Sequence, residues 1–360
     1  MKGTKRTEQG NRMFMLTRLL LVILWGLFLA GSTFSCQAGE PLNVDKKVRQ
    51  RRLGIAITPR NFPAHSNADI EEAFLMASEL GDCAVFIYQW GELNLEVARL
   101  MVEKARRVGL VPILGLSPTT LGAGRKELDL PARVRRRAGR FVSFANPAIR
   151  DSFKRAARDL ARLRPPYLCL ATEINFLALQ RLDEYVHFAS LYKEAHREVK
   201  RVSPDTRVFV SFQWEWMRIH DAREPHRIKE HSKVIDIFRP ELDVVGLTTY
   251  PSAFHGSPAD LPLDYYSWMY HHIKTTDEVL LMEVGWPTSG SGTEKEQEAF
   301  IRRLPELLDR VNVTVIAWAL LHDVDLPEFD ANLNTVGLVT NEGRRKAGYE
   351  AFKTLKEILR

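Results

Sequence analysis

A run of apolar residues ends on a carboxylate in the segment Val279-Leu-Leu-Met-Glu-Val-Gly-Trp-Pro-Thr-Ser-Gly290. Four consecutive apolar side chains are typical of a strand that is buried on both faces, as in a parallel sheet. Glu283 follows directly, at a position where an ionised group is costly unless it is paired or used. The segment Tyr167-Leu-Cys-Leu-Ala-Thr-Glu173 repeats this arrangement, with Glu173 at its end. The sequence therefore indicates two carboxylates at the ends of two buried strands.

Strand-like runs and helical segments alternate along the whole chain. The predicted strands are Leu53–Thr58, Cys83–Gln89, Val111–Ser117, Tyr167–Glu173, Arg207–Trp214, Asp243–Tyr250, Val279–Gly285 and Val313–Leu320. Apolar residues recur every three or four positions in the predicted helices, which are Ile70–Leu80, Leu95–Val108, Ile149–Leu163, Tyr185–Val202 and Phe300–Val311. This alternation predicts an α/β protein with a parallel sheet covered by helices, and eight repeats predict a closed (β/α)8 TIM barrel in a single domain.

An open doubly wound sheet is the alternative to the barrel. Such a sheet usually carries a glycine-rich phosphate loop after its first strand. Here that place is taken by Ile57-Thr-Pro-Arg-Asn-Phe-Pro63, so nothing in the sequence supports a nucleotide site.

The first 36 residues are typical of a secretion signal. An uninterrupted apolar run, Leu19–Ala30, follows a basic region and precedes small and polar residues that end at Cys36. This run is short for a bilayer span, so a retained membrane helix is the weaker interpretation. Cys36 leaves a lipid anchor open, although Thr33 stands where a bacterial lipoprotein signal usually has leucine.

These boundaries predict a signal at 1–36, a polar lead-in at 37–50 and a barrel at 51–360, in a secreted, periplasmic or cell-surface protein. The whole chain has 51 Lys and Arg against 45 Asp and Glu, of which the signal holds five and one, so 46 and 44 remain. Such a balance gives no reason to expect a nucleic-acid partner. One basic cluster, Arg133-Val-Arg-Arg-Arg137 with Arg140, is either a solvated face or a contact for an anionic polymer or lipid headgroup.

Glu173 and Glu283 fall at the carboxyl ends of the fourth and seventh predicted strands, where a barrel presents its reactive groups. Cleavage of a glycosidic bond needs two such groups, because one protonates the leaving oxygen while the other attacks or stabilises the sugar carbon. The alternative is two structural carboxylates in separate salt bridges. Flat aromatic rings with an N–H suit the apolar faces of sugars, and five tryptophans lie near the predicted strand ends: Trp90, Trp214, Trp216, Trp286 and Trp318.

As a set, these motifs resemble the clan A retaining glycoside hydrolases, and among them the endo-β-1,4-galactanase and β-1,3-glucanase type of barrel. Besides Glu173, the resemblance rests on Asp243-Val-Val-Gly-Leu-Thr-Thr-Tyr-Pro251, Met282-Glu-Val-Gly-Trp-Pro-Thr-Ser289 and Ala317-Trp-Ala-Leu-Leu-His-Asp323, and it covers about residues 51 to 360. It implies that Glu173 is the general acid/base and Glu283 the nucleophile. It also implies that Tyr250 hydrogen-bonds Glu283 and that Trp318 lies under the reacting sugar.

Some positions depart from the pattern of this family. The asparagine that usually precedes the acid/base is Thr172 here, and Asn175 and Gln213 are the candidates to replace it. The family's arginine after the second strand and histidine near the third strand lack counterparts in Tyr88-Gln-Trp-Gly91 and Gly115-Leu-Ser-Pro118.

We therefore expect a retaining glycosidase that cleaves a β-linked polysaccharide or oligosaccharide without a cofactor or metal. Its predicted substrate-binding residues are Trp318, Trp286, Trp214, Trp90, Asn175 and Gln213. The missing family residues motivate an alternative, a catalytically silent barrel that binds glycans as part of a surface assembly. The oligomeric state stays open.

Overall fold

A computed structural model of the chain describes residues 51–359 except 122, 225, 227–230 and 328. The predicted signal, the anchor position Cys36 and the polar lead-in lie outside the described residues. None of the described helices combines the length and the apolar character that crossing a bilayer requires.

The described strands form one sheet in which every neighbouring pair is parallel. They are β1 Arg52–Ala56, β2 Cys83–Gln89, β3 Val111–Ser117, β4 Tyr167–Cys169, β5 Arg207–Phe209, β6 Ser211–Gln213, β7 Val245–Thr249, β8 Val279–Val284 and β9 Val313–Trp318. Their order across the sheet is β5-β4-β3-β2-β1-β9-β8-β7-β6. The two edge strands, β5 and β6, are consecutive pieces of one stretch interrupted only at Val210, whose carbonyl accepts a hydrogen bond from the Gly246 N–H at 3.2 Å. The sheet therefore closes on itself, and the predicted barrel of eight strand segments is confirmed.

Helices follow the strands and cover the outside of the sheet. They are α1 Asn67–Leu80, α2 Leu95–Arg107, α3 Ala132–Ala138, α4 Pro147–Ala161, α5 Asn175–Gln180, α6 Leu182–Val202, α7 Trp214–Arg223, α8 Lys233–Asp236, α9 Glu294–Leu307, α10 Ala331–Asn334 and α11 Ala347–Ile358. The five predicted helices are α1, α2, α4, α6 and α9. Four of these begin after a capping side chain that accepts a backbone N–H, from Ser66, Asn94, Asn146 or Thr293. Three of these four capped helices start two to six residues before the start predicted from the apolar pattern, because the cap sets where the helix begins.

The interior of the barrel is filled by side chains. Met282 on β8 reaches across to β3, where a Cβ added at Gly115 would lie only 3.0 Å from its terminal methyl group. Since β3 and β8 are separated in the sheet by β2, β1 and β9, this contact spans the barrel. Cys83 and Cys169 are buried and free, and burial raises the pKa of each thiol to about 12.

Candidate active site

Glu173 lies in the turn between β4 and α5, and its backbone is fixed by the neighbouring strand. Its φ is 53°, in the left-handed region that a residue with a side chain rarely adopts. The Glu173 N–H donates to Ser211 Oγ at 3.0 Å, and the next N–H, from Ile174, donates to the Ser211 carbonyl at 3.0 Å. A residue in this strained conformation persists only where the surrounding structure enforces it, and such residues are common at functional sites.

Both carboxylate oxygens of Glu173 accept hydrogen bonds. Arg125 donates from Nε to Oε2 at 2.7 Å, and Thr248 donates from Oγ1 to Oε1 at 2.9 Å. The Arg125 and Glu173 side chains are only 9% and 13% exposed, so this is a largely desolvated ion pair. A second guanidinium nitrogen of Arg125 donates to Ser117 Oγ at 3.3 Å. Arg125 belongs to the long connection after β3, and the sequence analysis did not single it out.

Glu283 is the fifth residue of β8 and accepts a hydrogen bond from the Tyr250 hydroxyl at 2.7 Å. This is the bond that the resemblance implies. Burial, and next the negative charge of Glu173, raise the pKa of Glu283 to about 7, although Tyr250 and Arg125 act in the opposite direction. Burial and the same carboxyl groups raise the pKa of Tyr250 well above its ordinary value, so it remains a hydrogen-bond donor.

The two carboxyl groups belong to one site. Thr248 is the register partner of Glu283 across β7 and β8, and its hydroxyl bonds to Glu173. Arg125 is close enough to both carboxylates, and to Tyr250, for each to act on its pKa. The structure therefore brings together the three predicted catalytic residues and adds Arg125 and Thr248 to them.

The interactions of the free site differ from those that the implied roles require. A nucleophile must be ionised and an acid must hold a proton. In the free site the guanidinium of Arg125 lies on Glu173, the implied acid, whereas burial raises the pKa of Glu283, the implied nucleophile.

A third carboxylate, Glu215, stabilises the site through buried hydrogen bonds. It is buried and accepts hydrogen bonds from Thr249 Oγ1 at 2.5 Å, Gln213 Nε2 at 2.6 Å and the Tyr265 hydroxyl at 2.8 Å. Glu215 thereby holds the end of β7, from which Tyr250 reaches Glu283.

The four tryptophans predicted to bind substrate are buried, so this prediction is wrong. Trp90, Trp214, Trp286 and Trp318 are at most 1% exposed. Trp90 packs against Phe153 of α4, Trp286 and Trp318 pack against Phe300 of α9, and Trp214 lies edge-on to His272. The Trp318 ring also contacts Phe352 of α11 and donates its N–H to the Val336 carbonyl at 2.7 Å.

The reason for this error is the alternation of side chains along a strand. A residue near a strand end can face either the barrel interior or the helices, and one position along the strand separates the two. Proximity to the end of a strand predicted the position of these rings along the barrel axis. It did not predict whether they face the barrel interior or the helices. In this structure they stabilise the contact between sheet and helices and present no face to a ligand.

Asn175 and Gln213 also serve the fold. The Asn175 amide donates to the Gln213 carbonyl at 3.1 Å and accepts the Gln213 N–H at 2.8 Å. The Gln213 side chain caps α7 through the Trp216 N–H at 2.8 Å and donates to Glu215. These bonds occupy both amides, so neither residue takes the place of the missing asparagine.

Phe176, three residues after Glu173, forms an aromatic pair with Trp216. Both side chains are half-buried, and their rings pack edge to face with centroids 5.7 Å apart. The Phe176 N–H donates to the Glu173 carbonyl at 3.1 Å. Of the rim tryptophans identified from the sequence, Trp216 is the one whose side chain is partly exposed, and it packs against Phe176, whose N–H bonds to the Glu173 carbonyl. Among the residues that the structure describes, no group of three or more His, Cys, Asp or Glu side chains is arranged to hold a metal ion.

Comparison with solved structures identifies barrels of the same fold. An exo-β-1,4-mannosidase, Op5Man5 from Opitutaceae bacterium strain TAV5, superposes with a TM-score of 0.65 at 16% identity over 88% of this chain and 62% of its own. A GH5_18 protein from Streptomyces cattleya, in complex with Manb1-4GlcNAc, gives 0.66 at 18% identity over 86% and 81%. Xylanase 10B from Thermotoga maritima gives 0.60 at 16% identity over 86% and 95%.

The likeness shows the fold. This chain spans less than two thirds of the length of the mannosidase. No family model and no curated protein is similar enough to this chain to count as a match.

Proposed function

We propose that this chain is a retaining glycoside hydrolase that cleaves a β-linked polysaccharide or oligosaccharide. The observation that carries the proposal is the meeting of Glu173 and Glu283 at the carboxyl end of the barrel, with Tyr250 donating to Glu283. Barrel enzymes use this end of the sheet for chemistry. The barrels of similar fold include proteins named as a β-1,4-mannosidase and a xylanase, which supports a β-linked glycan as substrate.

The reaction would proceed in two displacements. In the first, the Glu283 carboxylate attacks the anomeric carbon, the bond to the leaving oxygen breaks, and Glu173 transfers its proton to that oxygen. In the second, Glu173 takes a proton from water, the water oxygen attacks the same carbon, and the ester to Glu283 breaks. Glu173 regains its proton and Glu283 its charge, so the site returns to its initial state.

Each residue of the site has a function in this scheme. Tyr250 orients Glu283 and stabilises its negative charge through a short hydrogen bond. We propose that Phe176, three residues after the proposed acid/base, and its ring partner Trp216 supply an apolar surface for a sugar ring. Retention requires carboxyl groups about 5 to 5.5 Å apart, and we expect that spacing in the complex with a glycan.

A finer assignment rests on the sequence motifs. The segment Met282–Ser289 favours the endo-β-1,4-galactanase and β-1,3-glucanase type, so galactan and β-1,3-glucan come first in a substrate panel, before β-mannan and xylan. The N-terminal pattern of residues 1–36 supports export, and we propose a secreted, periplasmic or cell-surface enzyme.

One observation favours the second candidate, a silent glycan-binding barrel. Thr172 replaces the asparagine that would contact the sugar 2-hydroxyl, and its side chain is fully buried with no hydrogen-bond partner among the described residues. The hydrogen bond to the 2-hydroxyl that strengthens in the transition state therefore has no donor at this position.

Covalent labelling separates the two candidates. The protein is incubated with 2-deoxy-2-fluoro glycosides that carry a 2,4-dinitrophenyl leaving group, one for each sugar in the panel, and its peptides are examined by mass spectrometry. A retaining enzyme accumulates a fluoroglycosyl ester on Glu283, and the Glu283→Gln variant does not. A protein that binds a panel glycan but takes up no label at Glu283 is the silent barrel.

A further inference from the structure

In the free site, both carboxylate oxygens of Glu173 accept hydrogen bonds from protein side chains. Oε2 accepts the Nε–H of Arg125 and Oε1 accepts the hydroxyl of Thr248. A general acid must direct an O–H at the glycosidic oxygen. A guanidinium has five donors and no acceptor, so Arg125 cannot accept the O–H of a protonated Glu173 and interacts best with its carboxylate form. Arg125, which favours a carboxylate, and a leaving group, which needs a protonated acid, therefore compete for Glu173.

The segment that carries Arg125 is fixed at its base. Thr119 and Leu128 form an antiparallel bridge, and beside it the Thr120 N–H donates to the Glu127 carbonyl at 3.0 Å. One residue further, the Asp129 N–H donates to the Pro118 carbonyl at 2.9 Å. These bonds tie the segment to the end of β3 without involving Arg125.

The residues around Arg125 are held by side chains from a single turn. The Gly124 carbonyl accepts a hydrogen bond from the Gln180 amide, and the Lys126 carbonyl accepts one from Arg181 at 3.4 Å. Gly124 and Arg125 have φ values of 64° and 56°. Strain of this kind, in a residue other than glycine, persists only where neighbouring contacts enforce it. Here the contacts are the ion pair with Glu173 and the bonds from the turn between α5 and α6.

We infer that Arg125 blocks Glu173 in the free site and that a glycan must displace its side chain before Glu173 can act as the acid. This inference rests on the proposed function for its catalytic consequence, but the competition for Glu173 also holds for a protein that only binds glycans. Ser117 Oγ, which already accepts a hydrogen bond from Arg125 at 3.3 Å, is an acceptor for the displaced guanidinium, and the charge of Glu283 also acts on Arg125. Arg125 is thus a positioning residue that acts through Glu173, and Glu283, Tyr250 and Arg125 are the titratable groups that face it.

The decisive experiment compares leaving groups in the Arg125→Met variant, which keeps an unbranched apolar stem and removes the donors. One substrate is a 2,4-dinitrophenyl glycoside, whose leaving group departs without protonation, and the other is the alkyl glycoside of the same sugar, which needs the acid. We expect the ratio of kcat/KM for the alkyl glycoside to kcat/KM for the aryl glycoside to rise roughly tenfold, about the contribution of one charged hydrogen bond. Arg125→Lys, which retains a charged donor, should stay near the parent.

Two further variants serve as controls for the effect of Arg125→Met. Gln180→Ala releases Gly124 but leaves Arg125 in place, and it should raise the alkyl-to-aryl ratio by a smaller factor. Arg107→Gln removes an exposed arginine of α2 and should leave the ratio at the parent value. Thermal unfolding of each variant shows whether it folds. Equal losses on both substrates in Arg125→Met, or an unchanged ratio, would overturn the inference.

A binding measurement separates failure of the inference from failure of the proposed function. Calorimetry with galactan, β-1,3-glucan, β-mannan and xylan fragments gives the affinity of the parent and of Arg125→Met. If the parent binds a fragment but hydrolyses none, the proposed function is wrong, and a tighter Kd in Arg125→Met still supports the displacement of Arg125. If the parent is active and Arg125→Met binds no more tightly, the function stands and the inference is wrong. A parent that binds none of the fragments contradicts both.

Discussion

Strand β8 has a carboxylate at each end, and the two differ in what surrounds them. Glu278, directly before the strand, accepts hydrogen bonds from Thr314 Oγ1 at 2.8 Å and the Tyr167 hydroxyl at 3.1 Å, and it also pairs with Arg207. Among the described residues, Glu283 near the other end accepts one side-chain hydrogen bond, from a neutral hydroxyl. The first carboxylate is satisfied as part of the barrel, and the second keeps lone pairs available for a substrate.

Glu278 and Glu283 lie at opposite ends of the barrel, but position alone does not explain the difference in their hydrogen bonding. Glu215 also lies at the carboxyl end, yet three side chains donate to it and it supports the site without opening onto it. A reactive carboxylate is therefore recognised by position together with incomplete hydrogen bonding. Both conditions hold for Glu283, and they would hold for Glu173 after Arg125 leaves.

The largest expected effect comes from neutralising the two ends of β8 one at a time. Glu283→Gln should lower kcat on the order of 10⁴-fold or more while glycan affinity stays within about twofold, because the amide keeps the shape of the site and lacks the nucleophile. Glu278→Gln should keep kcat within about threefold of the parent, since no part of it approaches a substrate. Steady-state hydrolysis and calorimetry on both variants test this. A Glu283→Gln protein with one tenth of the parent activity would remove Glu283 from the mechanism.

The second prediction sets the buried tryptophans against the accessible one. Trp318→Ala should lower the free energy of unfolding by about 3 to 5 kcal/mol, because it empties a contact with Phe300 and Phe352. Trp216→Ala should leave the fold nearly intact and weaken glycan binding by about 1 to 2 kcal/mol. Chemical denaturation and calorimetry measure the two quantities. If Trp318→Ala folds with parent stability and loses glycan affinity, the original assignment of this ring to the sugar site is right.

The sequence predicts the barrel well because its strands are continuous apolar runs between amphipathic helices. Those patterns are local, and each of the eight strands and five helices that they mark is present. The same reasoning locates Glu173 and Glu283, since a strand end in a parallel barrel defines a place in space, whereas the role of Tyr250 was implied by the family resemblance. The meeting of the two carboxylates therefore depends on the fold class alone.

Other features of the site depend on long-range geometry that no local pattern contains. Arg125 sits in an irregular connection, and only the folded chain reveals its ion pair with a residue 48 positions away. The orientation of Trp318 depends on one step of strand register. Glu215 resembles any acidic residue in a helical first turn until Thr249 and Tyr265 are placed around it. Helix α11 has a clear apolar pattern in Tyr349, Phe352 and Leu355, so the signal to predict it was present.

The third prediction concerns how stability depends on pH. Since the folded state raises the pKa of Glu283 to about 7 from an ordinary value of about 4.3, the native protein binds this proton more tightly than the unfolded chain does. The resulting stability is fully present below pH 4.3 and is lost as the pH rises through 7. The loss amounts to about 4 kcal/mol. Glu283→Gln lacks this term, so the difference in unfolding free energy between variant and parent should grow by about that amount from pH 4 to pH 8.5. A difference that is constant with pH would mean that burial does not hold a proton on Glu283.

The smallest predicted effect is on stability, where the substitution at Glu278 should cost more than the substitution at Glu283. Glu278→Gln should lower the free energy of unfolding by about 1 to 2 kcal/mol at pH 8, because it leaves Arg207 without its counter-ion and weakens the bonds from Tyr167 and Thr314. The Arg207 side chain is 37% exposed, so water replaces part of the lost interaction and keeps the cost below that of a fully buried pair. Glu283→Gln at the same pH should not lower stability, since it removes a carboxylate that the fold disfavours in its charged form. Denaturant titrations of both variants at pH 8 decide the matter. If both lose stability equally, the two carboxylates serve the fold alike, and incomplete hydrogen bonding no longer distinguishes a reactive group from a structural one.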